Sequence, residues 1–379
     1  MSAIPEIQPS ELARTIESDD PIQVLDVRAP FRVESGKIDL VPNDKFYNIV
    51  GSRLVTMRTA AETGLDPSLP VAVVCGHGNS SKQATQFLSQ LGFSARSLRG
   101  GMAAWMHLNV TRDLSPTSSV DLLKQFDRVG KGALCYVLIS DGNALVIDAP
   151  RNLEDIVGAV EQAGATVAAV ADTHCHADFI SGSQVLAKHF GVPYYLHPAD
   201  SSYAYDGTPG TLAITPLEDG MTISIGRATV RAVHTPGHTE GHVTYMVDDE
   251  VAFAGDFIFI SSVGRPDLAG KTDEWTETLW KSLSKATDWP PSLTIYPGHY
   301  SSDAERNDDR SIGKSLGEIR SDNEALQLDK AGFTDWVKSK SGSFPEAYRS
   351  IKAVNVGIMQ VDPMQADELE VGKNECAVA

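Results

Sequence analysis

Basic residues, cysteines and long apolar runs are all scarce in this chain, and each shortage removes a class of function. Thirty-two Lys and Arg face fifty Asp and Glu, a net charge of −18, so bulk electrostatics argues against a nucleic-acid or anionic-membrane partner. A small anion is still admissible, because a nearby arginine outweighs a distant, screened field. The four cysteines, Cys75, Cys135, Cys175 and Cys376, have no short repeating spacing; this is no disulfide framework, and a reducing cytoplasm is the expected location. No apolar run reaches membrane-spanning length, and the opening MSAIPEIQPSELARTIE lacks the basic and apolar regions of a secretion signal. A soluble, cytoplasmic protein is expected, compatible with a homo-oligomer.

What is present suffices for two domains with cores of their own: 379 residues, 42% hydrophobic and 22% charged. In the first, the apolar run IQVLDV (22–27) reads as a buried strand, and so does VAVVC (71–75), which breaks into GHGNSS before the helix SKQATQFLSQLG. Strand, glycine-bearing loop and helix together aim backbone N–H groups at one point. Cys75 opens that loop, where such donors suit an anionic sulfur that attacks or carries sulfur; the alternative is a small apolar residue buried at a strand end. The chain then reads SARSLRGGMAAW, a third strand, a Gly100-Gly101 turn and a helix ending at Trp105.

VLDVR, the C-x-x-G loop and L-x-GG-x-x-x-W, in this order, resemble a single rhodanese domain, here residues 1–108. The resemblance implies that Cys75 accepts a sulfane sulfur and passes it on, cradled by Gly76, His77, Gly78, Asn79 and Ser80. Rhodaneses commonly carry Arg at the fifth residue after the cysteine. Here that residue is Ser80, and no Lys or Arg lies between Cys75 and Ser81. Backbone N–H groups alone would face an anionic donor, so weak activity with thiosulfate is expected. The polar NVTRDLSPTSS (109–119) fits an interdomain linker.

In the second domain, expected over residues 120–362, polar residues recur where strands end. TVAAVAD leads into THCHADFISG, 229–233 into HTPGHTEGH, 250–254 into Gly255-Asp256, and 293–296 into Pro297-Gly298-His299. An H-x-H-x-D group offers two imidazoles and a carboxylate in one short loop, a set a divalent metal can use. Four such loops in one domain are hard to explain as surface decoration.

H-x-H-x-D, P-G-H-T, G-D and P-G-H, in this order, resemble a metallo-β-lactamase-fold enzyme. The expected architecture is therefore α/β: a small rhodanese-like α/β domain followed by a metallo-β-lactamase αββα sandwich. Dinuclear hydrolases of that family, such as glyoxalase II, read H-x-H-x-D-H; this chain has Phe179 at the last position, which removes one ligand of a second metal. The persulfide dioxygenase branch holds one iron through the residues that map onto His174, His238 and Asp256. The resemblance thus implies one Fe(II) per chain, with His176, Asp178 and His299 orienting ligands and substrate or framing a vacant second site. Gly264 to Asp267 reads G-R-P-D where that branch has G-R-T-D; Arg265 is either an anchor for a carboxylate of the thiol carrier or a salt-bridge partner of Asp267. Thr239 is a candidate donor to substrate, and Tyr296 and Tyr300 are candidates for the pocket wall. Asn323-Glu324-Ala325-Leu326 stands where mitochondrial-type enzymes carry N-P-R-L, which weakens glutathione as the carrier. Residues 363–379 are expected to be a loose tail with an inert Cys376. The implied activity is oxidation of a low-molecular-weight thiol persulfide with O₂ to sulfite and free thiol, with possible sulfurtransfer at Cys75, in sulfide detoxification. The alternative is a glyoxalase II-like thioester hydrolase with zinc.

Overall fold

The computed structural model describes residues 3–38 and 40–378. The chain divides into two compact units: one holds residues up to Val110 with Arg128–Lys131 and Val371–Lys373, the other Thr111–Asp127, Gly132–Glu370 and the residues from Asn374.

The first unit is built on a parallel sheet in the order Glu6–Ile7, Ala95–Leu98, Val71–Val74, Gln23–Asp26, Phe46–Asn48. The central strands are buried along their whole length, as a sheet covered on both faces requires. One face packs Val24, Ala72 and Val74 on the helix Pro9–Glu17 and on Trp105; the other packs Leu25, Val73 and Cys75 on Ala84 and Leu88 of the helix Ser80–Gln90.

The second unit is a sandwich of a seven-stranded and a six-stranded sheet. The first sheet runs Thr215–Pro216, Tyr194–Leu196, Thr166–Ala171, Asn143–Ile147, Ala133–Ser140, Leu122–Arg128, Asn109–Leu114. The second runs Thr222–Ile225, Ala228–His234, Val243–Val247, Val251–Gly255, Thr294–Pro297, Lys314–Ser315. Alternation distributes the side chains: Tyr136 and Leu138 enter the core shared by both sheets, whereas Cys135, Val137 and Ile139 face the helices Glu154–Gln162 and Ser183–Phe190. Helices Thr272–Ala286 and Lys330–Lys340 add Leu279, Leu283, Phe333 and Val337 to the shared core. The Asp141-Gly142 turn joins two antiparallel strands with both residues at positive φ, 47° and 72°, as a tight hairpin of this kind demands.

Two expectations change. The boundary between the two units falls within 109–119, between Val110 and Thr111, but the stretch is ordered and not an irregular linker: Asn109–Leu114 is an edge strand, and Thr117 and Ser119 bond to Asp248 at 2.7 and 2.9 Å. Its polar residues sit on an edge whose outward side faces water, which hid the strand. Nor are the described residues of the expected tail, 363–378, loose. Asp362 and Gln365 form a capping box on the helix Pro363–Leu369, and Cys376 and Val378 are buried. Val378 N donates to Val263 O at 2.9 Å and Arg265 N to Cys376 O at 2.8 Å. Among the described residues no helix is long and apolar enough to cross a membrane.

Candidate metal centre and sulfur-carrier loop

Parallel pairing brings the polar strand ends together. Val251–Gly255 and Thr294–Pro297 are parallel neighbours, so Asp256 and His299 leave the sheet side by side. Asn143–Ile147 and Thr166–Ala171 do the same for Asp148 and the loop that begins at Asp172. Crowding there is severe. A side chain on Gly255, at φ +47°, would meet Thr173 Oγ1 at 2.4 Å, and one on Gly264 would meet the carbonyl of Asp256 at 1.8 Å.

His174, His238 and Asp256 converge. Asp256 Oδ2 lies 3.6 Å from His174 Nε2 and 3.4 Å from His238 Nε2. All three residues are fully buried, and these three atoms have no hydrogen-bond partner. Each opposite nitrogen or oxygen is engaged. His238 Nδ1 donates to the carbonyl of Arg265 at 2.9 Å. Thr173 Oγ1 gives its one proton to Asp148, so at 2.9 Å it accepts from His174 Nδ1. Both imidazoles therefore present an Nε2 lone pair, as metal-binding histidines do when their other nitrogen is held. Burial drives His174 well below the ordinary 6.5, with neighbouring histidines adding to it, and takes His238 down to about 4. Burial raises the Asp256 carboxyl, but the charge and hydrogen bond of His299 prevail and hold it below 3.8. Two neutral imidazoles and a carboxylate with bare, buried lone pairs fit a divalent metal; with bonds of about 2.0–2.2 Å the donors would lie roughly 3–3.5 Å apart.

The other expected residues divide. His299 spans two carboxylates, Nδ1 to Asp256 Oδ1 at 2.6 Å and Nε2 to Asp178 Oδ2 at 3.0 Å. His176 turns to Asp148 at 3.1 Å and stacks on Phe179 at 4.2 Å between ring centroids. His242 accepts from Asp256 N at 3.0 Å and meets Thr235 at 2.9 Å, which positions the carboxylate; His234 is half-buried, stacked on His197.

Three expected contacts are made elsewhere, and Arg265 takes one of its two expected roles. Thr239 donates to Asp200 at 2.7 Å, not outward to a substrate. Tyr296 packs in the core against Tyr136 and Phe253. Tyr300 donates to Asp127 at 3.0 Å, with Arg306 over its ring at 4.5 Å. Arg265 forks onto Asp267 at 2.6 and 2.7 Å and onto the carbonyl of Gly342 at 3.0 Å, which is the salt-bridge alternative; its backbone serves the centre by holding His238.

The structure adds residues the motifs did not mark. Asp148, at φ 58°, bonds to Thr173 N at 2.7 Å and to His176. Asp200 takes Cys175 N, Thr239 and Gly241 N, each at 2.7 Å, and so ties the H-x-H-x-D loop to the P-G-H-T loop. A lone Asp after a strand or a proline carries little signal in sequence. Lys352 is 1% exposed with its Nζ unpartnered. Cys376, expected inert, is fully buried, and its sulfur, Asp178 and His299 have ligand atoms within 4.8 Å of one another.

In the first unit Cys75 directly follows the strand Val71–Val74 and is 5% exposed. Gly78 N donates to its sulfur at 3.1 Å, and Ser81 Oγ lies 3.2 Å away. The Gly100-Gly101 turn lets Met102 N donate to Cys75 O at 2.8 Å; a side chain on Gly101, at φ +62°, would meet that oxygen at 2.3 Å. Lys82, the first basic residue after Cys75, pairs with Glu6 at 3.1 Å.

Residues 128–299 match the Metallo-beta-lactamase superfamily and residues 8–108 match the Rhodanese-like domain. A hydroxyacylglutathione hydrolase of Rhizobium etli is 32% identical over 43% of this chain and 60% of its own length, so the chain spans less than two thirds of that relative. A protein of Bacillus subtilis named probable metallo-hydrolase YqgX is 30% identical over 44% of this chain and 84% of its own. The crystal structure of ETHE1 from Myxococcus xanthus shares the fold, with a TM-score of 0.51 at 19% identity over 65% of this chain and 98% of that one.

Proposed function

The chain belongs to the metallo-beta-lactamase superfamily, with a rhodanese-like domain ahead of the metal-binding one, and we propose that it is a persulfide dioxygenase with a sulfur-carrier domain. The observation that carries this reading is the bare, buried trio His174 Nε2, His238 Nε2 and Asp256 Oδ2, beside a loop whose next side chain, Phe179, has no donor atom. Two imidazoles and one carboxylate would suit ferrous iron, which when bound would supply the redox chemistry that O₂ requires. The reaction balances as R–S–SH + O₂ + H₂O giving R–SH + SO₃²⁻ + 2 H⁺.

The protein's own residues shape the site for it. Thr173 and the Arg265 carbonyl fix the histidine tautomers, His299 leaves one Asp256 oxygen for the metal, and His242 steadies the backbone beneath it. Phe179 and Phe259 are buried with their rings edge-on to His299, and Ala177 is buried in the same loop as Phe179. Cys75 is proposed as the carrier of a sulfane sulfur, with weak use of thiosulfate for want of a loop arginine.

A second reading has one observation in its favour. Asp178, His299 and Cys376 form a three-donor group that includes a thiol, so the ligand lost at Phe179 is offset from the C-terminal segment. A dinuclear zinc thioester hydrolase would use it. Metal analysis of anaerobically purified protein, coupled to an oxygen electrode, separates the two. One iron per chain and O₂ uptake with glutathione persulfide are expected. Two zinc ions per chain, with thioester cleavage and no O₂ uptake after iron loading, would replace the proposal.

A further inference from the structure

Lys352 lies on the helix Ala347–Asn355, which is laid across the H-x-H-x-D loop. Asn355 Nδ2 donates to the carbonyls of His176 and Phe179 at 2.9 and 2.8 Å, and its Oδ1 accepts from Ser181 N at 2.9 Å. At the other end, Tyr348 packs with Ala177, Phe259 and Cys376, and its hydroxyl accepts from Glu375 N at 2.7 Å. Positions 348, 352 and 355 share one helical face, so Lys352 stands between these two anchor points, over the loop that carries His174 and Asp178.

The side chain is 1% exposed and its Nζ meets no acceptor. A buried ammonium without a partner is unfavourable, and an aliphatic residue of the same length would avoid that cost. The expense is offset when an anion arrives. Arg265 does not compete for that anion, since Asp267 and backbone carbonyls take its guanidinium.

We propose that Lys352 is the anion-binding residue of the metal pocket, holding the terminal sulfur of the persulfide anion before oxidation and the sulfite anion after it. The identity of the anion rests on the dioxygenase reading above; the existence of an anion site does not.

Inorganic sulfite is the probe, titrated calorimetrically into the iron-loaded protein under anaerobic conditions. Lys352→Met is expected to weaken sulfite binding by about ten- to a hundredfold, the loss of one hydrogen bond to a charged group. KM for glutathione persulfide should rise by a similar factor while kcat and iron content change less. Because the substitution removes a buried charge, the thermal midpoint should hold or rise. Equal sulfite affinity in the two proteins, or no sulfite binding by the parent, overturns the proposal; so does a lowered midpoint with unchanged KM, which marks a structural lysine. Lys352→Gln, read by the same titration, decides the matter if the Met variant fails to fold. If the parent consumes no O₂ with persulfide, the dioxygenase reading falls, and the sulfite titration still judges Lys352.

Discussion

His299 Nδ1 lies 2.6 Å from Asp256 Oδ1 and so turns the other carboxylate oxygen toward His174 and His238. The pair has a pH signature in metal-stripped protein. Burial opposes protonation of His299, yet Asp178 and Asp256 raise it from 6.5 to about 10. A base raised on folding stabilises fully below its unfolded value, and the contribution is lost as pH rises through the folded one. The deficit of His299→Gln in urea denaturation should therefore be full at pH 6.5 and below and fade as pH passes about 10. A deficit independent of pH would show that the bridge is not ionic. His238 runs the opposite way: taken down to about 4, its neutral form favours the fold above pH 6.5, and that contribution is lost as pH falls toward about 4.

Thr173→Val removes the hydroxyl that orients His174 while keeping its shape. Such supporting hydrogen bonds are worth about ten- to a hundredfold in metal affinity, and the iron dissociation constant should rise accordingly, read by competition with a chelator. His174→Ala should abolish both metal binding and O₂ uptake. Unaltered affinity in the valine variant would place control of the tautomer elsewhere.

Removing the metal should also lower stability. A site filled at a hundred times its dissociation constant adds about 2.7 kcal/mol to folding. The thermal midpoint is expected to fall on chelation in the parent and not in Asp256→Ala, as scanning calorimetry can report.

Ser80→Arg places a guanidinium in the Cys75 loop, where Gly78 N now meets the sulfur at 3.1 Å. Charge-assisted hydrogen bonds are about twice as strong as neutral ones, so thiosulfate:cyanide sulfurtransfer should rise above a low parental rate and vanish with Cys75→Ala. A parent already robust with thiosulfate would make the missing arginine irrelevant.

Tyr296→Ala tests the packing of a residue first expected at the pocket wall. With Tyr136 and Phe253 around its ring, the loss should be about 3–5 kcal/mol in denaturant unfolding, without a change in KM.

The two domains, their order, and the loops bearing Cys75, His174, His238, Asp256 and His299 are legible in the sequence, because each is a local pattern: a buried run of one period, then glycine and polar residues that end it. Strand direction then sets His238, Asp256 and His299 at one edge of their sheet: the strands before Asp256 and His299 are parallel neighbours, and Ala228–His234 runs the same way, since it and Val251–Gly255 are both antiparallel to Val243–Val247. Asp200, Lys352 and Cys376 carry no such pattern. They reach the centre from a turn, a helix and the C-terminal segment far along the chain, so only packing could bring them there. Packing likewise set the partners of Arg265, Thr239 and the two tyrosines: a buried polar group bonds to whatever donor or acceptor the fold sets beside it, and neighbours distant in the chain leave no trace in its spacing.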